Sequence, residues 1–63
     1  MNEILLTVEE GARRLHLSRT VVFELLRRGE LESIRIGRSR RIPVQALDAY
    51  VQRQREVQAA EVA

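Results

Sequence analysis

Sixty-three residues with no cysteine, one histidine, one proline and three glycines fit a single small domain with little chemistry available to it. Without a thiol there is neither a disulfide framework nor a cysteine zinc site, and His16 alone cannot furnish a metal's ligand set, so no metal or cofactor is expected. The formal net charge of +2 conceals an asymmetry, because all 11 basic residues are arginine and nine of them fall between residues 11 and 42, against three glutamates there.

The first helix starts at Thr7-Val8-Glu9-Glu10, a capping box in which the Thr7 hydroxyl takes the Glu10 amide and the Glu10 carboxylate reaches back to the Thr7 amide. Val8, Ala12 and Leu15 then share one helical face. Gly11 costs this helix about 1 kcal/mol relative to Ala, so either a neighbour approaches closely there or the helix is simply weakened. The pattern breaks at His16-Leu17, where His suits an unusual backbone angle, and Ser18 caps a second helix running from Arg19 to Arg28. Val22, Leu25 and Leu26 form its apolar stripe, and Gly29 suits the left-handed position just past its end. Its opposite face centres on Thr20, Glu24 and Arg27, with Val21, Phe23 and Arg28 at the shoulders.

From Glu32 the period changes to two: Ile34 and Ile36 alternate with Ser33 and Arg35, Gly37-Arg38-Ser39 turns, and Arg40-Arg41-Ile42 returns as a hairpin. Pro43 cannot serve a central strand but suits the first turn of a helix. Val44, Leu47, Tyr50 and Val51 repeat at helical spacing, which predicts a third helix from about 44 to 55, fraying into a tail over residues 56–63. The fold class is therefore mainly α with a small two-stranded antiparallel β wing, a winged helix-turn-helix in the order α-α-β-β-α. One domain is expected over residues 1–63, with its core at about 5–55.

In a winged helix-turn-helix the second helix lies in the DNA major groove. That arrangement presents Ser18, Arg19, Thr20 and Glu24 to base edges, with Val21 near a thymine methyl. Arg35, Arg38, Ser39, Arg40 and Arg41 belong to the wing, whose tip from Gly37 to Arg40 would lie over an adjacent minor groove. Arg27 and Arg28, with Arg13 or Arg14, would meet phosphates. Arginine suits both tasks, since its planar fork grips phosphate bidentately and reads guanine edges. For Arg19, pairing with Glu24 or a local cap is the alternative to base contact, and Phe23 reads as packed at the edge of the core, with contact to DNA as the alternative.

Six blocks of the sequence carry a resemblance: Leu5-Leu6-Thr7-Val8-Glu9-Glu10, Leu17-Ser18-Arg19, Gly29-Glu30-Leu31, Ile36-Gly37-Arg38, Arg41-Ile42-Pro43 and Ala46-Leu47-Asp48-Ala49-Tyr50. Over residues 5 to 52 the chain resembles the excisionase-family DNA-binding domain, a winged helix-turn-helix related to the DNA-binding heads of mercury-resistance-type regulators. It departs from the family pattern at Gly11, where Ala is usual, at Val21, where a small hydroxyl residue is common, at Phe23, where Tyr is usual, and at Arg40, where an aromatic often sits. The resemblance implies a DNA-binding protein without enzymatic activity, either a phage or plasmid excisionase (a recombination directionality factor) or a small transcriptional regulator.

The excisionase reading implies binding to repeated duplex sites, cooperative self-association on DNA, DNA bending and assistance to a separate integrase. A protein-interaction module that keeps the fold but has lost DNA binding is a further alternative, against which four wing arginines stand. An enzyme is excluded by the absence of any nucleophile and base that spacing would bring together. No apolar run nears the roughly 20 residues of a membrane span, and no basic-then-apolar leader opens the sequence, so a soluble, unexported chain is expected; the lack of thiols makes a reducing cytoplasmic setting the default, and no small-molecule ligand is expected.

Overall fold

The computed structural model describes residues 4–62, so the ends of the expected 1–63 domain lie outside the described residues. The elements run β1 (Leu5–Leu6), α1 (Val8–Leu15), α2 (Arg19–Arg27), β2 (Ile34–Ile36), β3 (Ser39–Pro43) and α3 (Val44–Val62). The expected helix-turn-helix and hairpin are present, with one addition: the sheet has three antiparallel strands in the order β1-β3-β2.

Local chemistry accounts for both short helices. At the start of α1 the Glu10 amide donates to the Thr7 hydroxyl at 3.0 Å and the Thr7 amide donates to the Glu10 carboxylate at 2.9 Å, which completes the capping box. The helix stops at His16, in the left-handed region with φ 57°. There the Leu17 amide reaches the Ala12 carbonyl and the His16 amide the Arg13 carbonyl, the paired bonds of a Schellman ending. The end of α2 repeats this chemistry, with Gly29 at φ 76°, its amide on Leu26 and the Glu30 amide on Leu25. At the start of α2 the Ser18 hydroxyl accepts from the Val21 amide at 3.2 Å. The turn between β2 and β3 is the two residues Gly37 and Arg38, with Gly37 at φ 61°, the first-position glycine that a II′ hairpin turn requires.

Strand β3 divides its partners. Ser39, Arg40 and Arg41 pair with Ile36, Arg35 and Ile34 of β2, whereas Ile42 and Pro43 pair with Leu6 and Leu5 of β1. Pro43 thus ends the central strand instead of opening the helix. The Val44 amide donates to the Ile4 carbonyl at 3.1 Å, which makes Leu5–Pro43 the non-hydrogen-bonded pair of the ladder. The missing N–H of Pro43 therefore faces the β2 side, past the last residue that β2 contributes, and no ladder bond is lost.

The core gathers Leu6, Val8, Ala12, Val22, Leu25, Leu26, Leu31, Ile42, Ala46 and Leu47, with Leu15, Val44 and Tyr50 packed against it. Every element except β2 supplies a buried side chain. Gly11 is buried, and a Cβ there would stand 3.0 Å from Ile42 Cδ1, so the close neighbour is a side chain. Helix α3 does not fray after Arg55 but continues to Val62. Its second half contains only Gln, Arg, Glu, Ala and Val, without glycine or proline, and all but the valines are strong helix formers. Arg53 also anchors it by donating from Nη2 to the Glu30 carbonyl at 2.7 Å. No helix among the described residues is long and apolar enough to cross a membrane.

Candidate nucleic-acid interface

The stripe of Val22, Leu25 and Leu26 fixes the rotation of α2 by burying that side, and Ser18, Arg19, Thr20, Val21, Arg27 and Arg28 are left exposed with Glu24 half-buried. On the wing Arg35 and Arg38 are exposed, and Ser39, Arg40 and Arg41 are half-buried. Cross-strand register then sorts the wing cations. Arg35 stands directly opposite Arg40, so both lie on the sheet face that carries Ile42, while Arg41 lies on the reverse face with Ser39, Ile34 and Ile36. The four wing arginines are thus not one cluster. Arg41 turns back to donate from Nη1 to the Arg40 carbonyl at 3.0 Å. Ile34 and Ile36 point away from the core, Ile36 with 58% of its surface exposed.

Electrostatics divide the arginines further. On α2 each guanidinium has a carboxylate close by. Arg27 hydrogen-bonds Glu24, and Arg28 stands 3.9 Å from the same carboxylate and 3.5 Å from that of Glu30. Glu24 is therefore engaged with two cations of its own helix. On the wing no carboxylate of the described residues lies within ion-pair distance of Arg35, Arg38, Arg40 or Arg41. Like charges directly opposite across a hairpin are destabilising, so the Arg35–Arg40 pair costs the isolated protein a few tenths of a kcal/mol to about 1 kcal/mol that a bound anion would relieve.

Arg19 differs from both groups. Its Nε donates to Glu9 Oε2 at 2.7 Å, across the junction of α1 and α2, and its guanidinium carbon lies 4.7 Å from the centroid of the Phe23 ring. The expected alternative partner, Glu24, is occupied elsewhere. Phe23 is not simply a core-edge residue, since 37% of it is exposed and its ring carries the guanidinium. The Arg19 hydrogen bond and its charge hold the Glu9 carboxyl below the usual glutamate range, with its own backbone amide and Arg13 adding to the effect. Sequence reasoning missed Glu9. The Arg19–Phe23 spacing of one helical turn is a signal that was there to be used, whereas nothing local links residues 9 and 19.

Among the described residues no three His, Asp or Glu side chains gather where they could hold a metal ion. Residues 5–55 match the family described as a helix-turn-helix domain. The chain is 56% identical over 52 residues to a probable excisionase of Saccharopolyspora erythraea and 42% identical over 50 residues to an excisionase of Streptomyces ambofaciens. These alignments cover 82% and 79% of the chain, and 53% and 81% of the respective relatives, so it spans about half the length of the first. No solved structure matches it. A capped helix-turn-helix, an arginine-bearing wing and these relatives agree: the chain belongs to the excisionase family of DNA-binding helix-turn-helix domains.

Proposed function

We propose that this protein is a recombination directionality factor that binds repeated duplex sites, bends the DNA between them and assists an integrase in excision, in the cytoplasm of a bacterial or phage-infected host cell. In this reading Ser18, Arg19, Thr20, Val21 and Glu24 face the major groove, Arg27 and Arg28 meet phosphates, and Arg35, Arg38, Ser39, Arg40 and Arg41 serve the wing at the neighbouring minor groove. The observation that carries it is the set of wing arginines lacking any carboxylate partner among the described residues, because charge left uncompensated in the free protein is released as favourable binding to a polyanion. The excisionases of Saccharopolyspora and Streptomyces support the recombination role.

A single winged module buries on the order of 600 to 1,000 Å² of surface on DNA, too little for high specificity alone. Adjacent copies on repeated sites supply the remainder through avidity. Footprinting on duplexes carrying one, two and three copies of the selected site, with gel phasing for bending, tests the proposal. Protection that steepens with copy number and a phase-dependent bend are the expected results. Independent, unbent single-site binding would instead assign the protein to transcriptional regulation, and no binding to any duplex would leave a protein-interaction module.

A further inference from the structure

Arg19 opens α2 directly after the Ser18 cap, and it is held from two directions. Its Nε edge is fixed by Glu9 Oε2 at 2.7 Å and its face by the Phe23 ring, with the guanidinium carbon 4.7 Å from the ring centroid. Both terminal nitrogens, Nη1 and Nη2, are left without a protein partner among the described residues. Those nitrogens form the end of the fork that reaches guanine O6 and N7 together. Neither restraint is needed to build the helices. The α1 capping box uses Glu10 rather than Glu9, and Phe23 lies outside the buried stripe of α2.

A carboxylate beside a DNA-facing helix also repels phosphate. An arginine meant for general phosphate attraction would be better without it, and the wing arginines indeed have none among the described residues. We infer that Glu9 and Phe23 are positioning residues that lock Arg19 as a preset reader of a guanine in the major groove, making this three-residue clamp the specificity determinant of α2. The inference rests on the DNA-binding reading above. An arginine side chain is long and rotamer-rich, and holding its fork in one orientation before encounter removes an ordering cost that only the correctly placed base would otherwise repay. With its charge already offset by Glu9, Arg19 adds little to binding that ignores sequence.

The test starts from selection of a random duplex library on the full chain, which locates the base pair whose preference collapses in Arg19→Ala. Competition binding then compares Glu9→Gln, Glu9→Ala, Phe23→Leu and Phe23→Tyr on duplexes matched or changed at that base pair. A good bidentate contact discriminates about 5- to 150-fold. Glu9→Ala and Phe23→Leu are expected to remove most of that factor at this one base pair. Glu9→Gln should remove part of it, and Phe23→Tyr, which keeps the ring, should retain it, while preferences elsewhere and thermal melts stay close to those of the unmodified protein.

If Glu9→Ala and Glu9→Gln instead strengthen binding to every duplex by one common factor, Arg19 is a phosphate contact and the clamp is overturned. Unchanged discrimination in all four variants also overturns it while leaving DNA reading intact. A library that yields no preferred sequence for the unmodified chain would remove the underlying reading and the clamp with it.

Discussion

Gly11→Ala measures how tightly the first helix is pressed against the sheet. A glycine inside a helix loses about 0.5–1 kcal/mol relative to Ala, so on backbone grounds alone the substitution stabilises. The structure opposes that gain. The new Cβ would stand 3.0 Å from Ile42 Cδ1, and Ile42 is completely buried, so its methyl has little room to retreat. Ordinary carbon contacts lie at about 3.5–4.0 Å, and overfilling a packed core costs about 1–3 kcal/mol. Gly11→Ala alone is therefore expected to destabilise by about 1 kcal/mol, lowering the melting temperature of a domain this size by roughly 4–8 °C.

Ile42→Val alone, which removes the obstructing methyl, costs about 0.5–1.5 kcal/mol. Combined, the alanine methyl occupies the vacated space and the helix keeps its propensity gain, so the double variant should fall within about 0.5 kcal/mol of the starting protein. The resulting coupling of about 1–2 kcal/mol is well above the roughly 0.3–0.5 kcal/mol scatter of independent sites. Urea denaturation of the four proteins measures it. Additive effects, or a Gly11→Ala variant more stable than the parent, would refute the argument that steric pressure from Ile42 explains this glycine.

His16→Gly should raise the melting temperature by several degrees, because a non-glycine residue at φ 57° carries a left-handed strain of about 1 kcal/mol that glycine lacks; an unchanged or lower melt would contradict this. Arg38→Ala and Arg40→Ala should each flatten the log-log salt dependence of DNA binding by about one unit, whereas Arg27→Ala, whose charge Glu24 already offsets, should flatten it less. Equal slopes for all three would erase the distinction between wing and helix cations. The Glu9 carboxyl titrates below its ordinary range, so the Arg19 contact is complete at neutral pH and is lost as the pH falls below the usual glutamate range. Following the Arg19 Nε–H resonance by NMR through an acid titration should give a midpoint lower than that of a glutamate in a short peptide, and a midpoint at or above it would contradict the assignment.

What was legible in the sequence was local. Thr7 and Glu10, Ser18, Gly29 and Gly37 each announce a backbone event through their own chemistry, and each event occurs where those residues stand. The period-two stretch correctly gave the hairpin, but alternation does not say which face has a layer behind it, and Ile34 and Ile36 turn out to face solvent. Strand β1 was hidden because two residues are too short to show a period, and Leu5-Leu6 acquires its identity only from Ile42 and Pro43 across the ladder. The helical spacing of apolar residues stops short of the end of α3, because the residues beyond Arg55 favour helix through their own propensity without packing against the core. The Glu9–Arg19 contact needed the crossing of two helices, a relation ten residues apart that only the folded chain defines.

Strand β3 passes without interruption from the arginine hairpin into the interior, giving three residues to β2 and its last two to β1. Such continuity makes the wing a cantilever bolted at its root and leaves no pivot there. Its angle to the helix pair is thus inherited from the strand itself.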